Sequence, residues 1–268
     1  MQSIGFIGAG NMGGAIINGL RSVGVTSEIR VANRSNHERL QRMAEQNGII
    51  PSTLEEIIQY SEIILLAVKP KDVLNVLKSL QNKLNPNQLL ITVAAGIPLK
   101  SYETVLSGIP VVRTMPNTSS AVLKGMTGLV RGTAVQEQQA KAAEEIFQAV
   151  GKTLWITEDK INALTAISGS GPAYYYLFTE TLIQAGISAG LAEEEALQLA
   201  KETLLGAAQM IKESGKSPAR LREEVTSPKG TTLAALNVFW ENNLQGLVTR
   251  AVKACKDRAE EMEREYQE

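Results

Sequence analysis

Gly8, Gly10 and Gly13 stand in the spacing G-x-G-x-x-G near the start of the chain. Glycine has no side-chain chemistry, but this spacing lets a backbone reach a phosphate. Gly8 permits a tight turn, Gly10 leaves the backbone open to a pyrophosphate, and Gly13 lets the following helix close on the preceding strand. A second concentration of polar groups is Ser227-Pro228-Lys229-Gly230-Thr231-Thr232, just ahead of an alanine- and leucine-rich segment. A third is Ser168-Gly169-Ser170-Gly171-Pro172. Loops of this kind at a helix N-terminus present N–H groups and hydroxyls that can hold a carboxylate. The same residues also suit plain helix–helix connections with capping groups. His37 is the one histidine and Cys255 the one cysteine. A multi-histidine metal site and an internal disulfide are therefore both excluded, and no metal is expected. His37 follows Asn33-Arg34-Ser35-Asn36 at an expected helix start, a peripheral position.

Strands and helices must position these groups. Ile4, Phe6 and Ile7 make a short buried strand, and Ile16, Ile17 and Leu20 give the next segment a helical apolar face. The glycine turn therefore lies between a strand and a helix, with the helix N-terminus toward any phosphate. A second strand, Glu28 to Ala32, ends in Asn33-Arg34 with no carboxylate. An acidic residue there would accept ribose hydroxyls, whereas Arg34 can pair with a 2′-phosphate, which favours NADP over NAD. A helix over Arg39 to Gln46, a strand at Ile49-Ile50 and a helical turn over Leu54 to Gln59 follow. Ile63 to Val68 is continuously apolar, as a parallel strand covered on both faces should be, and Pro70 opens the next helix. Leu89 to Val93 is a further strand ending in Ala94-Ala95-Gly96, small residues that let a flat ring approach. Pro110 to Thr114, Thr127 to Arg131 and Thr153 to Ile156 read as strands, with a helix over Gln136 to Val150.

Near Glu158 the pattern changes to helical periodicity, over Tyr174 to Gly186, Glu193 to Glu213, Ala219 to Val225, Thr231 to Trp240 and Leu247 to Tyr266. This predicts two domains, a doubly wound α/β dinucleotide-binding domain of the Rossmann type over 1–157 and an all-helical domain over 158–268. The helices are apolar on more than one face: Tyr174-Tyr175-Tyr176-Leu177-Phe178 is one example. Helices apolar all round must be covered, and a second copy of the chain would cover them. The charged stretch Lys253 to Glu268 reads as a solvated helical face.

The chain has 268 residues, a formal net charge of −1 and 44% apolar residues. Near-zero charge argues against a nucleic-acid or anionic-membrane partner. No apolar run is long enough to cross a bilayer. Met1 leads directly into the first strand, so no targeting segment is expected, and the lone cysteine suits a reducing cytoplasm.

The chain resembles pyrroline-5-carboxylate reductases along its whole length. The likeness rests on GFIGAGNMG at 5–13, AVKP at 67–70, VAAG at 93–96, RTMPNT at 113–118, SGSGPAY at 168–174 and PARLREEVTSPKGTTLAAL at 218–236. It implies a Rossmann domain, a helical dimerisation domain, and reduction of 1-pyrroline-5-carboxylate to L-proline with NADPH or NADH. By position it implies cofactor contacts at Gly8, Ala9, Gly10, Asn11, Met12, Asn33, Arg34, Ala67, Val68, Lys69, Pro70, Val93, Ala94 and Ala95. It implies substrate contacts at Glu158, Ser227, Gly230, Thr231 and Thr232, with Thr232 as the catalytic candidate beside the imine nitrogen. Two departures are visible. Lys229 stands where the family often has glycine, and Leu54 where it often has asparagine. A 3-hydroxyacid dehydrogenase is an alternative on the same domain plan, but it needs a lysine soon after the glycine-serine stretch, and none precedes Lys201 there. A non-catalytic nucleotide sensor is the other alternative.

Overall fold

The computed structural model describes residues 2–34 and 37–266, without the side chain of His37. The expected peripheral placing of that side chain therefore lies outside the described residues. In chain order the first elements are β1 (Ile4–Ile7), α1 (Asn11–Ser22), β2 (Ile29–Ala32), α2 (His37–Asn47), β3 (Ile50–Pro51) and α3 (Leu54–Tyr60). Next come β4 (Ile63–Leu66), α4 (Pro70–Leu80), β5 (Leu89–Thr92), α5 (Leu99–Val105), β6 (Val111–Met115), β7 (Gly125–Arg131), α6 (Glu137–Gln148) and β8 (Gly151–Trp155). Helices make up the rest: α7 (Ile161–Leu164), α8 (Gly171–Ser188), α9 (Glu193–Glu213), α10 (Pro218–Glu224), α11 (Thr231–Glu241) and α12 (Leu244–Glu265).

The strands form one sheet in the order β3-β2-β1-β4-β5-β6-β7-β8. All neighbours are parallel except β6 and β7, which run antiparallel. The chain reverses direction across the sheet between β1 and β4, the switch point at which such sheets open a crevice beyond their carboxyl ends. The apolar strands follow from cover on both faces. Ile63 and Leu65 of β4 join one core with Ile16, Ile17 and Phe147, while Ile64 and Leu66 join the other with Val73, Leu77 and Tyr102. Alternate side chains thus enter opposite layers, so no polar face is left to interrupt the run.

The chain forms two compact units. The first takes the residues up to Ser170 together with those from Cys255 onward, and the second is Gly171–Ala254. Compactness therefore divides the chain elsewhere than the change of periodicity near 158. Residues just past 158 pack on the sheet because small residues admit them: a β-carbon on Gly169 would stand 2.8 Å from Met115 Cε. The second unit has scarcely any core of its own. Among the described residues its buried hydrophobics are Ala196 and Ala200, while Tyr176, Leu177, Leu205 and Trp240 are exposed.

Two helices, α5 and α7, were not visible in the periodicity. Both are short, seven and four residues. The serine-glycine stretch at 168–172 corrects the expected loop. Thr165–Gly169 forms a π-helical turn running toward α8, and the Ser170 N–H donates to the Thr165 carbonyl at 2.8 Å. That donor is spent inside the helix, so this stretch loses its claim as a carboxylate cradle.

Candidate active site

The glycine turn is built as its spacing predicts. Gly8 has φ +98°, which favours glycine, and a β-carbon there would lie 2.7 Å from the Ala67 carbonyl oxygen. Its N–H donates to the Ala32 carbonyl at 2.8 Å, and the Ala67 N–H donates to the Ile7 carbonyl at 2.8 Å. The ends of β1, β2 and β4 are thereby tied together. Gly13 is needed for packing, since a β-carbon would stand 2.9 Å from the Gly8 oxygen and 3.3 Å from Ala67 Cβ. Gly10 differs from both. Its backbone is extended, φ −68° and ψ −169°, and a β-carbon on it would meet no protein atom within 4 Å. The space in front of Gly10 is open.

Gly10 is the N-cap of α1, where no side chain caps the helix and the first turn carries no acidic residue. Backbone donors and the positive dipole end therefore face that open space. These features fit a dinucleotide pyrophosphate: open donors, no opposing carboxylate, and a cradle that a β-carbon would fill. Asn11 and Met12 begin the helix, and Ala9 lies buried beneath it. Ala67, Val68, Lys69 and Pro70 carry β4 into α4, with Lys69 as N-cap and Pro70 at the helix start. Val93, Ala94 and Ala95 follow β5. The Ala94 N–H donates to Thr92 Oγ1 at 3.3 Å, and Thr92 Oγ1 is 2.8 Å from the Tyr102 hydroxyl. Burial pushes the Tyr102 phenol up to about 12, so this turn rests on a neutral, protonated tyrosine. Asn33 and Arg34 lie beyond the end of β2, and Arg34 is exposed, 4.0 Å from Asp72 in the first turn of α4. An exposed pair at that distance contributes little, so Arg34 is not committed to Asp72.

Glu158 belongs to the first unit, three residues beyond the end of β8. Its Oε1 accepts from Arg113 Nη1 at 2.5 Å and from the Leu99 N–H at 2.8 Å. Its Oε2 is buried with no partner among the described residues. Ser227, Gly230, Thr231 and Thr232 lie together in the second unit. The Gly230 N–H donates to the Ser227 carbonyl at 3.0 Å, and Lys229 has φ +61°. Proline second and a positive φ third make a type II turn, in which glycine usually holds Lys229's place. The turn delivers Gly230 as N-cap of α11, again with no side-chain cap and no acidic residue in the first turn. Thr231 and Thr232 open that helix.

Sequence reasoning missed several groups. Arg39 of α2 donates to the Gly10 carbonyl at 3.2 Å and to Asn11 Oδ1 at 3.4 Å, bracing the glycine turn from outside. Arg113 is buried within β6; it opens the RTMPNT stretch of the family likeness, but the charge inside an apolar run points to no role for it. Asn117 holds the Met126 N–H and the Ser168 carbonyl through its two amide atoms, at 3.2 and 3.0 Å. No group of three or more metal-ligating side chains occurs among the described residues, and no described helix is long and apolar enough to cross a membrane.

A glycine-turn switch point, an open helix N-terminus and a small-residue turn after β5 define the class as a Rossmann-type nicotinamide-dinucleotide oxidoreductase. The profile "Pyrroline-5-carboxylate reductase dimerisation" matches residues 158–262, and "NADP oxidoreductase coenzyme F420-dependent" matches 3–96. The pyrroline-5-carboxylate reductase of Corynebacterium melassecola is 40% identical over 268 residues, covering 98% of this chain and 99% of the relative. A solved pyrroline-5-carboxylate reductase from Coxiella burnetii superposes with TM-score 0.93 at 38% identity, over 97% of this chain and 98% of the other. The Plasmodium falciparum enzyme, solved with NADP bound, gives 0.86 at 30% identity over 98% of each chain. The chain belongs to the pyrroline-5-carboxylate reductase family.

Proposed function

We propose that the protein reduces 1-pyrroline-5-carboxylate to L-proline, using NADPH or NADH, in the cytoplasm. The observation that carries the reading is the pair of uncapped, acid-free helix N-termini, at Gly10 for a dinucleotide and at Gly230 for a carboxylate. Gly8, Ala9, Gly10, Asn11 and Met12 would hold the pyrophosphate, with Ala67, Val68, Lys69, Pro70, Val93, Ala94 and Ala95 along the same crevice. Asn33 and Arg34 would take the ribose end, with Arg34 favouring the 2′-phosphate. The bound cofactor supplies a hydride to the ring carbon of the imine.

The remaining work falls to the chain. The N–H groups of Thr231 and Thr232 hold the substrate carboxylate, with Ser227 and Gly230 closing the turn through the Gly230 N–H and the Ser227 carbonyl. Thr232 hydrogen-bonds beside the imine nitrogen, and Glu158 is a further substrate residue. A protonated imine is already an electrophile, and its nitrogen keeps that proton when the carbon is reduced. No strong general acid is required, in keeping with a chain that has a single histidine. The two alternatives lack support of this kind, since neither explains the intact Ser227 to Thr232 turn.

Self-association follows from the second unit. Its exposed aromatics and leucines, with two alanines for a core, need cover, and an isologous dimer supplies it. Spectrophotometry of NADPH with pyrroline-5-carboxylate tests the activity, and absence of substrate-dependent oxidation would reject it. Light scattering tests the dimer, and an active species at 28.9 kDa, the mass of one chain, would reject it.

A further inference from the structure

The last turns of α12 belong to the first unit, where a charge read from sequence as solvated is half-buried and paired. Glu263 Oε1 accepts from Arg113 Nη2 at 2.7 Å, and Glu263 Oε2 accepts from Asn162 Nδ2 at 2.8 Å. Met262 and Tyr266 lie against the turn after β5, with Met262 Cβ 3.4 Å and Tyr266 Cε2 3.6 Å from where a β-carbon on Gly96 would stand. Arg113 is the hub. Its side chain is 4% exposed, and its two terminal nitrogens are divided between two carboxylates.

That division has a consequence for Glu158. A buried guanidinium facing one carboxylate closes on it as a two-pronged fork and occupies both oxygens. Here Glu263 takes Nη2, so Arg113 gives Glu158 only Nη1. Glu158 Oε2 is left buried and unpartnered, an arrangement that costs stability unless something uses the oxygen. We propose that Arg113 and Glu263 are positioning residues: the C-terminal end of the chain is a latch that divides the guanidinium so that one oxygen of Glu158 stays free of it. Glu263 lies one residue beyond the segment 158–262 matched by the dimerisation profile. The inference rests on the proposed substrate role of Glu158.

Without Glu263, Arg113 closes on both oxygens of Glu158. The test is a double-mutant cycle of E263A and E158Q on the full-length protein, with E263Q as the conservative variant and the melting temperature of each recorded. E263A is expected to lower kcat/KM for pyrroline-5-carboxylate about tenfold, with the Kd for NADPH unchanged. E263Q keeps an acceptor for Nη2 and should recover most of the loss. Because Glu263 acts through Glu158, E263A should add little in the E158Q background. A purely structural role would instead lower stability, weaken cofactor and substrate together, and give additive losses. Additive losses, or wild-type kinetics for E263A beside an impaired E158Q, would overturn the latch alone. Wild-type kinetics for E158Q would remove the substrate role of Glu158, and the latch with it.

Discussion

Replacing Gly10 by alanine should weaken cofactor binding without touching the fold, and replacing Gly8 should disturb the fold first. The Gly10 backbone is extended, which any residue adopts, and a methyl there meets no protein atom within 4 Å. Reduced freedom of the unfolded chain favours alanine by about 0.4–1 kcal/mol. Alanine is also the poorer N-cap, by up to about 1 kcal/mol. The two nearly cancel, so the Tm of G10A should stay within about 3 °C of wild type. The methyl nevertheless enters the space in front of the α1 N-terminus, and the Kd for NADPH should rise at least tenfold, about 1.4 kcal/mol. Gly8 sits at φ +98° with the Ala67 oxygen 2.7 Å from a β-carbon, so G8A carries backbone strain of about 1–3 kcal/mol before any ligand is added. Its Tm should fall by several degrees. Thermal melts with and without NADPH, with a fluorescence titration, read both quantities. A G10A protein that melts like wild type and binds NADPH equally well would refute the placing of the pyrophosphate.

Thr232→Ala should lower kcat/KM by roughly ten- to a hundredfold, the scale of one lost hydrogen bond to a charged group, and unchanged kinetics would remove Thr232 from the reaction. Arg34→Ala should raise the Kd for NADPH about tenfold and leave NADH unchanged, whereas Asp72→Asn, which removes the carboxylate 4.0 Å from Arg34, should shift preference toward NADPH. Equal effects on both dinucleotides would count against that reading. Lys229→Gly relieves about 1–2 kcal/mol of left-handed strain, partly offset by glycine's unfolded-state freedom, and should raise Tm. It also removes a cation beside the carboxylate turn, so KM should rise at low salt and less at high salt. A lowered Tm would show that the lysine stabilises the turn.

The sheet was legible because its signals are local. A strand covered on both faces must be apolar throughout, and Ile63 to Leu66 shows it. The glycine spacing was legible because three backbone constraints fall within six positions. Arg113 was not, because one arginine in an apolar run says nothing about partners 45 and 150 positions away. The tail read as solvated for the same reason: Glu263 is one charge among many, and only the fold brings it to Arg113 and Asn162. Periodicity marked where strands stop. It could not show that residues 158–170 and the end of α12 return to the sheet, since that depends on close approach at positions such as Gly169. The Ser168 to Pro172 stretch misled because glycine and serine serve a π turn as readily as a loop.

The most direct measurement follows the transferred hydrogen. Purified protein is incubated with pyrroline-5-carboxylate and NADPH deuterated at the transferable position, and the proline formed is analysed by mass spectrometry. L-Proline carrying one deuterium on the ring carbon that is bonded to nitrogen and does not bear the carboxylate is the predicted product, formed at a rate that falls in G10A and T232A. Cofactor bound without labelled proline, or proline formed without deuterium, would contradict the assignment.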